Sequence, residues 1–167
     1  MYKRAIYWFK RDLRVDDNRA FTEACQNAKE LIPVFIFIPY LLEKFKSYDS
    51  RLGFLIECIK FLSEEIRNKG GKLFCYHEDT VSVFHYLIEK YKPEAVFTSK
   101  SFSWAGEKIE SRIEKLCKDN NITFHAITEN FLSRIEKIPY RKIYSAFYKK
   151  WREHLELKQI SSPHRIN

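Results

Sequence analysis

Through most of the chain, short apolar runs alternate with segments in which apolar residues recur every three or four positions. The first kind predicts buried strands and the second amphipathic helices. Residues 4–9 (RAIYWF) predict a strand, and residues 18–28 a helix with Phe21, Ala24, Cys25 and Ala28 on one face. Residues 31–38 (LIPVFIFI) make the most apolar run of all. Both its faces are apolar, as a strand covered by helices above and below requires. Residues 51–69 predict a helix with Phe54, Leu55, Cys58, Phe61, Leu62 and Ile66 inward, stopped by Gly70-Gly71. Strand 72–76, helix 80–91, strand 95–98, helix 107–118 and strand 122–126 follow, with Asn120-Asn121 as the turn before the last strand. Asp17 or Asn18 is placed to cap the first helix, and Asp79 or Thr80 the third. Residues 144–157 predict a final helix, and the polar, Pro-containing ending KQISSPHRIN predicts a linker or frayed terminus.

Five strands separated by four helices predict an α/β fold: a doubly wound, five-stranded parallel sheet, Rossmann-like, with helices on both faces. Residues 1–134 would form this domain. Residues 135–167 would supply a basic C-terminal helix and the start of an interdomain linker. In open sheets of this kind, ligands bind beyond the carboxyl ends of the strands, where strand order reverses. The loops at that rim are 10–17, 39–50, 77–79, 99–105 and 127–133. The first of them opens directly after Phe9 with charges of both signs: Lys10, Arg11, Asp12, Arg14, Asp16 and Asp17.

Composition narrows the chemistry. The 167 residues are 45% hydrophobic, enough for one domain with a substantial core. No uncharged apolar stretch approaches the length of a membrane span. Charges interrupt the N-terminus where a signal peptide would carry its apolar region, so cytoplasmic residence is the default expectation. Cys25, Cys58, Cys75 and Cys117 are scattered without a CxxC pair, which predicts reduced, mostly buried thiols. The histidines form no HxxxH or HExxH pattern, so no metal site is expected. A net charge of +8 suits an acidic partner, and much of the excess lies late, at Arg134, Lys137, Arg141, Lys142, Lys149, Lys150, Arg152 and Lys158. There is no GxGxxG and no GxxxxGK[ST]. A phosphate would therefore be held by Lys10, Arg11 or a helix N-terminus. No GxSxG elbow and no nucleophile-plus-base arrangement is visible.

The stretch YWFKRDLRVDDNRAF resembles the opening of the DNA photolyase/cryptochrome family, which reads W-F-R-R-D-L-R-hydrophobic-x-D-N-x-A-L. Trp8, Phe9, Arg11, Asp12, Leu13, Arg14, Asp17, Asn18 and Ala20 match, while Lys10 replaces a usual Arg. PVFIFIP (33–39) is similar to the family's second strand. RLGFLIECIKFL (51–62) resembles its R-x-x-F-L-x-E-S-L helix, with Cys58 for Ser, and PYRKIYSAFYKKW (139–151) the segment that closes its N-terminal domain. One loop departs. Where the family commonly reads N-x-x-Y-x-P followed by Arg-Asp, Ser99 stands for Asn, Phe102 for Tyr, Trp104 for Pro, Ile109 for Arg and Glu110 for Asp.

The resemblance implies an N-terminal α/β domain that holds a light-harvesting antenna: a flavin, a deazaflavin or a folate. A larger helical domain would bind the catalytic FAD and the pyrimidine dimer. This sequence ends where that domain would begin, so the expected partner is a separate or missing helical photolyase domain, with DNA reached through it and FAD bound only if it is supplied. The chain alone is not expected to be catalytic. The residues expected at the antenna are Phe9, Lys10, Arg11, Ile38, Pro39, Arg51, Glu57, Ser99, Lys100 and Phe102. Lys10 and Arg11 are read either as contacts to the antenna's phosphate or ring oxygens, or as members of a salt-bridge lattice with Asp12, Asp16 and Asp17. Arg14, Asp17 and Asn18 are read as structural. Ile38 and Pro39 would form an apolar wall, and Glu57 could accept from a ring N–H. Trp104 could stack on a ring or fill its space. The basic tail would dock a helical partner through Phe147, Trp151 and Leu155. The alternative is a non-photoactive nucleotide- or nucleic-acid-binding module on the same scaffold.

Overall fold

The strand at residues 2–9 forms the centre of the molecule because its side chains alternate between two apolar layers. A computed structural model describes residues 1–43, 49–128, 138–140, 142–155, 163 and 166. In chain order the elements are β1 (Tyr2–Phe9), α1 (Arg19–Asn27), β2 (Ala28–Phe37), α2 (Pro39–Leu42), α3 (Ser50–Asn68), β3 (Phe74–His77), α4 (Thr80–Tyr91), β4 (Ala95–Ser99), α5 (Trp104–Asp119), β5 (Thr123–Ile127) and α6 (Tyr144–Glu153). The strands form one parallel sheet in the order β3-β2-β1-β4-β5. This is the doubly wound arrangement expected from the alternation. Ala5, Tyr7 and Phe9 of β1 face a core shared with Phe21 and Ala24 of α1 and Leu62 and Ile66 of α3. Ile6 and Trp8 face the opposite core, built with Phe84 and Leu87 of α4 and Ile113 and Cys117 of α5. The all-apolar run of β2 divides the same way, Leu31 and Phe35 to one side, Ile32, Val34 and Ile36 to the other.

The helix ends follow local chemistry. The Asn18 side chain accepts from Phe21 N at the start of α1, and that of Asp79 from Val81 N and Ser82 N at the start of α4. Each satisfies donors that the first helical turn leaves unpaired. Asp49 caps α3 and Ser103 caps α5. Gly70, at φ +89°, lets the chain leave α3 while Gly71 N bonds back to Ile66 O.

Four expectations are corrected. Phe54 and Phe61 point outward, 73% and 61% exposed, and Ile59 takes the inward place beside Leu62 and Ile66. The buried stripe of α3 is Leu55, Ile59, Leu62 and Ile66. At 3.6 residues per turn, Phe54 and Phe61 lie about a third of a turn from its centre, beyond the reach of the sheet. The thiols are less buried than expected: Cys75 is exposed and only Cys117 is fully buried. At the polar ending, Ile166 is 2% exposed, packs against Gly71 and donates its N–H to Lys69 O, so this residue is not frayed. The last helix, expected to run to residue 157, ends at Glu153 with His154 as its C-cap, and residues 156 and 157 lie outside the described residues. No helix among the described residues is long and apolar enough to cross a membrane.

Candidate functional site

After β1 the chain winds to β2 on one side, and it later crosses to β4 on the other. The carboxyl ends of β1 and β4 therefore flank the point where strand order reverses. Lys10 leaves β1 at this point. Its Nζ donates to Glu110 Oε2 of α5 at 2.5 Å and to Ser101 Oγ at 2.9 Å, and lies 4.9 Å from the centroid of the Trp8 ring. Ser101 N donates to the same Glu110 oxygen at 2.9 Å. The Lys10 and Glu110 side chains are only 15% and 10% exposed. Burial lowers the Lys10 pKa, opposed by the hydrogen bond and charge of Glu110. One carboxylate thus ties together the end of β1, the loop after β4 and α5.

The charge-rich first loop does not form the expected lattice. Asp12 is 2% exposed and accepts from Tyr7 Oη at 2.5 Å, Lys10 N at 3.2 Å and Asn18 Nδ2 at 3.2 Å. Asn18 also donates to Arg14 O at 3.0 Å while it caps α1. The Arg14 guanidinium donates to Asp17 O, and Asp17 takes φ +51° to present that carbonyl. Asp16 reaches Lys69 at 3.8 Å. Asp12, Arg14, Asp17 and Asn18 therefore build the loop, and Lys10 finds its counter-ion on α5. Arg11 is exposed, with no ion pair among the described residues.

The expected site residues fall into four groups. Lys10, Ser99 and Lys100 lie at the switch point, with Arg11 and Phe102 beside them. Ser99 is 6% exposed at the end of β4. Lys100 is exposed, its N–H bonded to Ile127 O and its ammonium 5.7 Å from the centroid of the Phe102 ring. Phe102 is 47% exposed, and Trp104 beyond it is 77% exposed with Lys108 Nζ 5.2 Å from its ring. Phe9 is placed apart from these: it is fully buried, its ring centroid 4.5 Å from Tyr7 and 5.1 Å from Phe21. Ile38 and Pro39 are half-buried at the start of α2, Ile38 against the α4–α5 core. Arg51 and Glu57 are held by their own helix, Arg51 by the Asp49 cap (2.5 Å) and Glu57 by Lys60 (2.8 Å), and both are exposed.

Ser101 was not singled out in the sequence, and Glu110 was noted there only as a departure from the family pattern. The available signal was a pair of departures from one pattern, Lys10 for Arg and Glu110 for Asp, whose side chains meet. Elsewhere, burial pushes the Cys25 and Cys117 thiols up to about 12, which leaves them un-ionised and inert.

A family profile described as DNA photolyase matches residues 5–164. The deoxyribodipyrimidine photo-lyase of a Synechococcus strain is 22% identical over 164 residues, which is 95% of this chain and 34% of the relative. The chain thus spans about a third of the length of that curated relative. Among solved structures, the Synechocystis cryptochrome superposes with a TM-score of 0.87 at 16% identity, over 97% of this chain and 36% of that one. The archaeal photolyase of Sulfolobus tokodaii, solved with two FAD molecules, gives 0.80 at 23% identity, over 98% and 37%. At such identities the superpositions speak for the fold.

Proposed function

The chain belongs to the DNA photolyase family, and from that membership we propose that it is an N-terminal domain that binds a light-harvesting chromophore at the carboxyl rim of its sheet. The chromophore would serve light-dependent repair of pyrimidine dimers by a helical, FAD-binding domain outside this chain. The observation behind the reading is the rim at the switch point, where exposed Arg11, Lys100, Phe102 and Trp104 follow the ends of β1 and β4 beside the Lys10–Glu110 pair.

Phe102 and Trp104 bring exposed rings, each with a lysine ammonium near it, and Arg11 and Lys100 bring positive charge for phosphate or ring oxygens. These features suit a planar anionic molecule. Lys10 is less suited to direct contact, because its donors are already directed at Glu110 and Ser101. Its part is to keep the ends of β1 and α5 fixed. An antenna supplies excitation energy, and its transfer depends on a fixed orientation, so rigidity matters more than an acid, base or nucleophile. The two FAD molecules of the Sulfolobus tokodaii protein favour a flavin as the first chromophore to try. The catalytic FAD is assigned to the helical partner, and DNA is reached through that partner.

The test is a near-UV and visible titration of the purified protein with FMN, FAD, a deazaflavin and a methenyl folate. A red-shifted, resolved band that F102A or R11A weakens is the expected result. Spectra unchanged for all four compounds would overturn the reading and favour a non-photoactive role on this scaffold.

A further inference from the structure

While Leu55, Ile59, Leu62 and Ile66 of α3 fill the core, a second apolar stripe of the same helix stays outside it. Phe54 and Phe61 are 73% and 61% exposed. They stand seven positions apart and so point nearly the same way from the helix. Half-buried Cys58 lies between them, and Glu65 continues the line. The stripe also differs from the rest of the molecule in charge. Arg51, Lys60 and Arg67 are matched in α3 by Glu57, Glu64 and Glu65, so the helix carries no net charge in a chain of +8. Two copies of such a basic chain repel over most of their surfaces, and a balanced, apolar face is where they can meet.

We propose that α3 pairs antiparallel with α3 of a second copy of this chain, forming a two-fold dimer. The stripe is its own complement. With the axis crossing between Glu57 and Cys58, Phe54 of one copy meets Phe61 of the other, and symmetry repeats the contact. In the same register Arg51 comes opposite the second copy's Glu65 on one flank, and Lys60 opposite its Glu57 on the other. Lys60 holds Glu57 of its own helix at 2.8 Å, and its three donors allow a second carboxylate. A parallel pairing would set Glu57 against Glu57 and Lys60 against Lys60, so the charges choose the direction. One helix of about 28 Å from each copy covers less than the roughly 800 Å² per partner of a standard interface. The dimer is accordingly weak, and unfolding in dilute solution reports the single chain. The inference does not depend on the chromophore reading.

Sedimentation equilibrium of the full chain, from about 5 µM to about 500 µM, reads the association directly. A reversible monomer–dimer equilibrium is expected. F61D and F54S should each weaken it about tenfold or more. E57K sets two lysines against each other and should weaken it as well, whereas the swap E57K/K60E keeps every pairing and should restore it. Circular dichroism in dilute solution checks that the variants fold, and F54S serves where F61D does not. A chain that stays monomeric throughout, a dimer indifferent to both phenylalanine variants, assembly beyond two copies, or a swap no better than E57K would each overturn the proposal.

Discussion

Glu110 joins three segments that the chain brings together from far apart, through its contacts to Lys10 and Ser101. Removing its charge leaves a mostly buried ammonium without a counter-ion, so E110Q should cost about 3 kcal/mol in chemical denaturation. The double variant K10R/E110D should recover most of that loss. Arg carries its cation farther than Lys, Asp carries its carboxylate one methylene less than Glu, and the span between the two backbones is kept. Recovery no better than the single variant would show that the pair is not the unit. His125 has a different sensitivity. Its Nε2 lies 2.8 Å from Tyr2 Oη, and its ring stacks on Phe97 at 4.4 Å. Burial lowers its pKa below the ordinary 6.5. Between 6.5 and the depressed folded value the unfolded chain binds the extra proton, so stability falls as pH drops through that window. H125F keeps the stacking and cannot titrate. Its thermal midpoint should fall less than that of the parent between neutral pH and the carboxylate range.

At the scale of elements, what is local was readable and what is mutual was not. Asn18 and Asp79 cap their helices as their side chains predict, because a cap needs only the next two or three residues. The limits of α4 are those the periodicity gives, and Asn121 turns at φ +58° before β5. The orientation of α3 was not readable, since its apolar residues cover more of the helix than the sheet can accept. Leu55, Ile59, Leu62 and Ile66 win the inner face. L62A should therefore cost about 2–5 kcal/mol, whereas F54S and F61S should stay within about 0.5 kcal/mol of the parent. Urea denaturation of the three variants decides it. A large cost for F54S would mean that its ring is covered in solution. The first loop shows the same limit: its mixed charges suggested mutual pairing, yet Asp12 turns inward to Tyr7 while Lys10 crosses to α5. Sequence distance hid a partner 100 positions away.

Across the whole molecule, alternation of strand and helix was enough to give the sheet, and the sheet gives the place where ligands gather. The position of that rim was legible from topology, but the arrangement of its side chains was not, because loop side chains are positioned by tertiary contacts. Phe9 was expected there and lies in the core, whereas Trp104 stands open beside Phe102. The rim thus carries two exposed aromatic side chains, Phe102 and Trp104, each with a lysine ammonium near its ring. If the rim holds a chromophore, its affinity must be separable from the stability of the fold, since neither ring supports the core. The double variant F102A/W104A should lower flavin affinity on the order of tenfold, the loss of one good stacking face or two weaker ones, with the unfolding midpoint unchanged. E110Q should lower both together, because it loosens the rim by loosening the fold. The two responses, read by spectral titration and thermal melting on the same preparations, distinguish a residue that touches the ligand from one that holds the rim. If F102A/W104A bound flavin as tightly as the parent, the chromophore would have to sit elsewhere along the sheet edge, with the half-buried Ile38 and Pro39 as the next wall to alter.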